Sequence, residues 1–240
     1  MPDPRLPADS APVPVPGPVC DLVFSAADGR RARMVSWRAY QVMAADVAAQ
    51  IRAQHPGPLT LVGVLQGGWI TAQSLADLLP GSLVLAAAAR HHGGRTDGIS
   101  LFAATDGLLT PAAPPAGQPV VVVDEVVDSG RTARYYLSQL APYSPQLACL
   151  ATSDRADPAP QFAARTMSDL PALVLPWRVL RDFDQTAACL LAAGPLTTKQ
   201  IDERLRELGH DLGPDLLEPH LAELARRGRL HHRGFHWHRL

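Results

Sequence analysis

Pro119 to Val123 is an unbroken run of five apolar residues, too short for a free-standing helix and too continuous for a half-exposed strand. It reads as a strand buried on both faces of a parallel sheet. Leu61-Val62-Gly63-Val64-Leu65 reads the same way, and Leu83 to Ala87 and Leu147 to Thr152 add further strands. Helical spacing fills the gaps. Ser36 is a candidate N-cap for a helix from near Trp37 to about Gln54, with Tyr40, Met43, Val47 and Ile51 on one stripe. Further helices are expected over Ile70 to Leu79 and Thr132 to Leu140. Cys20 to Phe24 and Ala32 to Val35 are expected to pair across the Ala27-Asp28-Gly29 turn. Strands alternating with helices give an α/β fold with a Rossmann-like parallel sheet. The span from Arg90 to Gln118 is rich in Gly, Pro and small residues and reads as irregular, a lid, binding loop or disordered stretch. Asp154 to Leu170 has no clear periodicity.

The pattern changes near Asp184. Helical segments end at Leu190-Leu191, begin at Leu196-Thr197-Thr198 with Ile201, Leu205 and Leu208 on one face, and carry Leu217, Leu221 and Leu224 on another. The stretch from Leu230 to His238 then alternates about Gly234, so residues 184–240 are expected to form a winged-helix-like domain. Such domains often bind DNA. Here Asp215, Glu218 and Glu223 surround the expected reading helix and oppose a phosphate backbone, and Pro219 must sit in its first turn or kink it, so an interaction or oligomerisation module is favoured over DNA binding. The division expected is therefore a disordered Pro-rich tail over 1–18, an α/β domain over 19–183 and this second domain over 184–240.

Composition narrows the setting. No apolar run approaches the roughly 20 residues that span a bilayer, and the prolines of the N-terminal tail leave no signal-peptide core. Cys20, Cys149 and Cys189 make no metal or redox pattern, and a cytoplasmic protein with reduced thiols is expected. The net charge of −1 excludes general nucleic-acid affinity.

The candidate chemistry lies at the carboxyl end of the Pro119–Val123 strand, where open α/β sheets bind ligands. Asp124 and Glu125 are adjacent acceptor-only groups, suited to a cis-diol. Asp128-Ser129-Gly130-Arg131-Thr132 follows, with a helix behind it, so backbone N–H groups converge as a cradle for one phosphate. The spacing is not that of a Walker loop. Gln66-Gly67-Gly68 makes a second strand-to-helix turn with backbone donors.

This strand, acid pair and Asp-Ser-Gly-Arg-Thr loop resemble the signature of the type I phosphoribosyltransferases. The resemblance implies that Asp124 and Glu125 hold the ribose hydroxyls of phosphoribosyl pyrophosphate (PRPP), and that Ser129, Gly130, Arg131 and Thr132 hold its 5′-phosphate. It implies Asp128 as the catalytic acid–base group facing the base. Gln66, Gly67 and Gly68 would form the pyrophosphate loop, although many relatives carry Arg or Lys where Gln66 stands. Mg²⁺ is implied as cofactor, bound through PRPP near Asp124 and Glu125. Closure of the Arg90–Gln118 span would bring Arg90, His91, His92 and Arg95 towards the polyanion.

Leu173-Val174-Leu175-Pro176-Trp177 is similar to the ending of the xanthine- and guanine-type purine enzymes, with a small base-selecting hood between Asp154 and that segment. The lysine that those enzymes turn to the purine has no counterpart, since Lys199 lies outside the catalytic domain, and the expected stacking aromatic is missing. Arg155 and Phe162 are the base-binding candidates. The function implied is transfer of 5-phosphoribosyl from PRPP to a purine with release of pyrophosphate, in a homo-oligomer. The alternative is a PRPP-sensing transcriptional regulator, with a pyrimidine-salvage enzyme in third place.

Overall fold

The structure is a computed structural model that describes residues 23–25, 31–92, 95–105 and 108–240. The expected disordered tail, Cys20 and the Ala27-Asp28-Gly29 turn lie outside those residues, as do the side chains of Arg90, His91, His92 and Arg95.

Strands β1 (Val23–Ser25) and β2 (Arg31–Met34) pair antiparallel. Helix α1 (Trp37–Gln54) begins where expected, because the Ser36 side chain accepts from the Ala39 N–H at 3.0 Å. There follow β3 (Thr60–Val64), α2 (Gly67–Leu78), β4 (Leu83–His92), β5 (Arg95–Thr105) and β6 (Leu108–Pro111). The chain continues through β7 (Val120–Val127), α3 (Arg131–Gln139), β8 (Gln146–Ser153), β9 (Phe162–Met167) and β10 (Ala172–Val174). The main sheet has the order β6-β5-β4-β3-β7-β8-β9, parallel from β4 to β9, with β5 and β6 antiparallel at one edge. Alternation along β7 explains the continuous apolar run. Val121 and Val123 join the core under α1 and α2, whereas Val120 and Val122 face the core that holds Ala133, Tyr136 and Leu140 of α3 and its end.

Two expectations are corrected. Arg90 to Gln118 is not an irregular span: much of it forms β5 and β6, paired back onto β4 in an antiparallel meander. The alternation Gly98-Ile99-Ser100-Leu101 suits a half-exposed antiparallel strand next to the sheet edge and escapes a search for continuous apolar runs. The stretch after Asp154 does not build a separate hood either, because β9 joins the main sheet beside β8. The small second sheet is instead β1-β2-β10, in which β10 runs parallel to β2.

Helices α4 (Phe183–Leu190), α5 (Thr198–Glu207) and α6 (Pro214–Arg226) precede a hairpin of β11 (Leu230–Arg233) and β12 (His236–Arg239). A capping box between Thr197 and Gln200 starts α5. Pro219 is accommodated within α6. The apolar core does not divide at residue 184. Met34 and Val174 of the small sheet share one buried cluster with Phe183, Ile201, Leu221 and Trp237.

Candidate active site

The carboxyl ends of β3 and β7, neighbours in the sheet, bring the two glycine-containing turns together. Gly67 and Gly68 open α2 and are buried against β7. A Cβ on Gly67 would overlap the Glu125 carboxylate, and one on Gly68 would strike the Val123 carbonyl. Only glycine lets the two loops approach this closely.

Asp124 Oδ1 accepts from the Glu125 N–H at 2.8 Å. Burial, partly offset by that hydrogen bond, pushes the Asp124 carboxyl up to about 7. Burial also raises Glu125, against the opposing pull of Arg178. Arg178 Nη1 donates to Glu125 Oε1 at 2.6 Å, and its Nε lies 2.9 Å from Asp182 Oδ2. The second Glu125 oxygen is buried and has no hydrogen-bond partner among the described residues. Cys149, the register partner of Asp124 on β8, is buried and its thiol is pushed up to about 12. It is an inert core residue.

Beyond the acid pair, Asp128 to Thr132 curl around a cavity of about 150 Å³ that is also lined by Asp124. Gly130 takes φ 79° at the N-cap of α3, so the loop turns directly into the free N–H groups of the helix's first turn. A Cβ there would strike the Asp157 backbone. Arg134 holds that segment in place, donating to the Asp157 carbonyl at 2.8 Å and pairing with its carboxylate at 2.5 Å.

Two larger cavities flank the acids. One, of about 620 Å³, is bordered by Gln66, Gly67, Glu125, Trp177, Arg178 and Arg181. There Arg181 Nη1 donates to Gln66 Oε1 at 2.7 Å, so the turn that lacks a cation in sequence has one beside it in space. The other, of about 680 Å³, is bordered by Asp128, Leu170, Pro171, Arg178, Asp182 and Gln185, among others. Arg178 stands between the two.

Asp124, Glu125, Asp128, the 129–132 loop and Gln66-Gly67-Gly68 are thus gathered at one end of the sheet. The base-binding candidates are not. Phe162 is corrected to a core residue: it is 3% exposed, sits in the cluster under α1, and meets His55 edge-on with ring centroids 6.3 Å apart. Arg155 is exposed, its backbone N–H donates to Ser153 Oγ at 3.2 Å, and its side chain borders none of these three cavities. Arg178, Arg181 and Asp182 went unread in the sequence. The local signal covers Arg178 and Asp182 alone, through the i, i+4 Arg–Asp spacing just after Pro176-Trp177, a segment fixed against α1 by Trp177 packing edge-on to Tyr40 at 4.9 Å between centroids.

A family profile described as the phosphoribosyl transferase domain matches residues 36–169. A search of curated proteins finds no match. Among solved structures, the chain is similar to a purine phosphoribosyltransferase from Pyrococcus horikoshii, at 20% identity over 61% of this chain and 93% of that one, TM-score 0.46. It is similar to the xanthine-guanine-hypoxanthine phosphoribosyltransferase of Helicobacter pylori, at 18% identity over 63% of this chain and 97% of that one, TM-score 0.45. A hypothetical protein from Neisseria gonorrhoeae with bound ppGpp is 19% identical over 67% of this chain and 96% of that one, TM-score 0.47. With the family profile spanning more than half of its length and the loop, acid pair and glycine turn all inside that match, the chain belongs to the phosphoribosyltransferase family.

Proposed function

We propose that the protein transfers a 5-phosphoribosyl group from PRPP to a purine nitrogen, with residues 19–183 carrying the catalytic machinery and 184–240 forming an attached unit. The observation that carries this reading is the juxtaposition of the Asp128–Thr132 cradle with the Asp124–Glu125 pair across from Gly67. The cradle is of a size and polarity for one phosphate, and its donors are backbone N–H groups at a helix start. Asp124 and Glu125, adjacent acceptor-only groups on β7 beside the cradle, would accept from the hydroxyls of a ribose diol. Across the cleft, the Gln66 turn and Arg181 face the cavity where a pyrophosphate would extend.

Oxygen-only donors and a buried, unpartnered Glu125 oxygen fit a hard cation, so Mg²⁺ would sit near Asp124 and Glu125. Among the described residues there is no cluster of three or more potential ligands, so the ion would share its coordination with substrate oxygens. Bound there, it would offset charge developing on the departing pyrophosphate. The carboxylates of Asp124 and Glu125 favour the oxocarbenium character that the sugar gains as its C1–O bond breaks. Asp128, bordering both the phosphate cradle and the larger cavity of about 680 Å³, holds or accepts a proton at the purine N7.

Titration calorimetry of PRPP with Mg²⁺ into the wild type, Asp124→Asn and Gly130→Ala tests the substrate assignment. Binding by the wild type that weakens at least about 10-fold in each variant is expected, the loss of one or more charge-assisted hydrogen bonds. Equal affinities in all three proteins would refute it.

A further inference from the structure

The cavity of about 680 Å³ beside Asp128 is closed on one side by α4, the first helix of the C-terminal unit. Its walls include the apolar side chains of Val126, Leu170, Pro171 and Leu173. Its polar groups are unevenly matched. Asp128, Asp169 and Asp182 contribute carboxylates, which as anions only accept. Among the described residues lining the cavity, the side-chain donors are Arg178 and Gln185. Arg178 is engaged with Glu125 and Asp182, at 2.6 and 2.9 Å. Gln185 is half-buried, and among the described residues no hydrogen bond engages its side-chain amide.

We propose that Gln185 reads the edge of the nucleobase, so that the C-terminal unit completes the substrate site. The proposal rests on the phosphoribosyltransferase reading above. A primary amide presents one acceptor and one donor side by side, which complements the C6=O/N1–H edge of a 6-oxopurine: the amide N–H₂ donates to the oxo group while its carbonyl accepts from N1–H. This assignment supplies what the core domain lacks, because Phe162 is buried elsewhere and Arg155 borders no part of this cavity. Asp182, at the N-cap of α4, spends its carboxylate on Arg178 rather than on the helix, so α4 and the site are joined by an ion pair. Phe183 and Ala187 on the opposite face of α4 are buried in the core shared by the small sheet and the C-terminal helices. A helix held from both sides keeps Gln185 within reach of a bound ring.

The test uses the full-length protein with Gln185→Leu, which removes donor and acceptor, and Gln185→Glu, which keeps length and acceptor but loses the donor. KM and kcat are measured for hypoxanthine, guanine and adenine at saturating PRPP and Mg²⁺, with PRPP affinity measured in parallel. Both variants are expected to raise KM for the 6-oxopurines on the order of 10-fold, leaving PRPP affinity within about twofold, the scale of one lost hydrogen bond. Unchanged KM values in both variants would overturn the proposal and leave the enzyme reading intact. Parallel loss of base and PRPP binding would overturn it as well, by assigning Gln185 a structural role. A wild type that binds PRPP but ribosylates no base would remove the purine-transferase reading itself, and this assignment with it.

Discussion

Arg178 Nη1 lies 2.6 Å from Glu125 Oε1, joining the segment that leads into the C-terminal helices to the end of the central strand. The side chains are 27% and 13% exposed, so the pair is partly desolvated and cannot be treated as a surface salt bridge. Glu125 sits where burial raises its proton affinity, and Arg178 is the largest opposing influence. The arginine thus keeps a buried carboxylate available for a sugar diol or a cation.

Removing that arginine has a directional outcome. Arg178→Gln leaves Glu125 buried and uncompensated, so its carboxyl rises further and the native state is destabilised by about 1–3 kcal/mol, less than a fully buried pair would lose. Thermal unfolding should show the loss at neutral pH, and Glu125→Gln added to the same protein should recover part of it, because the stranded charge is gone. Additive losses would contradict the coupling.

Asp124 sets a pH dependence. Its folded value, about 7, stands above the ordinary 3.8. As pH rises from about 4 to about 7 the unfolded chain releases this proton first, so the native state loses stability across that window and levels off above it. Asp124→Asn should therefore match the wild type in stability near pH 4 and exceed it by about 4 kcal/mol near pH 8. Affinity for PRPP with Mg²⁺, which calls for the ionised form, should fall more steeply as pH drops below about 7 in the wild type than in Asp124→Asn. Denaturant melts and calorimetry at the two pH values check both signs.

Gly67 and Gly130 are expected to be intolerant for different reasons. Gly67→Ala would displace the Glu125 carboxylate, so its signature is lost ligand affinity. Gly130→Ala meets the Asp157 backbone and also a positive φ of 79°, so it should lower stability by about 1–3 kcal/mol as well as disrupt the phosphate cradle. Melting temperatures and PRPP titrations of the two variants separate the cases.

Deleting residues 184–240 should not leave a well-behaved core. Met34 and Val174, both fully buried, pack in the cluster that holds Ile201, Leu221 and Trp237, and truncation would expose them. Aggregation or loss of cooperative unfolding is expected in size-exclusion chromatography and thermal melts. A monodisperse, fully stable fragment would show that the two units fold independently.

What the sequence disclosed follows the range of the interactions concerned. The Ser36 cap, the α1 span, the buried strands β3 and β7 and the loop at Gly130 all rest on local rules of capping, alternation and turn chemistry, and each was readable. Arg181 beside Gln66 and Arg178 beside Glu125 join positions far apart in the chain, and local spacing carries no sign of such contacts. Phe162 failed as a base contact for the same reason. Its neighbours in sequence left it looking like the sole aromatic in a hood, but parallel pairing of β9 with β8 turns it into the core. The β5–β6 meander was missed because its edge position permits small and polar residues where a central strand would need apolar ones.

Pyrophosphate release from PRPP and Mg²⁺ with xanthine, guanine, hypoxanthine, adenine and uracil in parallel, in the wild type and in Asp128→Ala, decides whether the protein is a purine transferase. Turnover with a 6-oxopurine that falls about 10²- to 10⁴-fold in the variant is the predicted result, the range for a lost general acid–base. PRPP binding without ribosylation of any base would contradict it, and would point instead to a protein that senses PRPP.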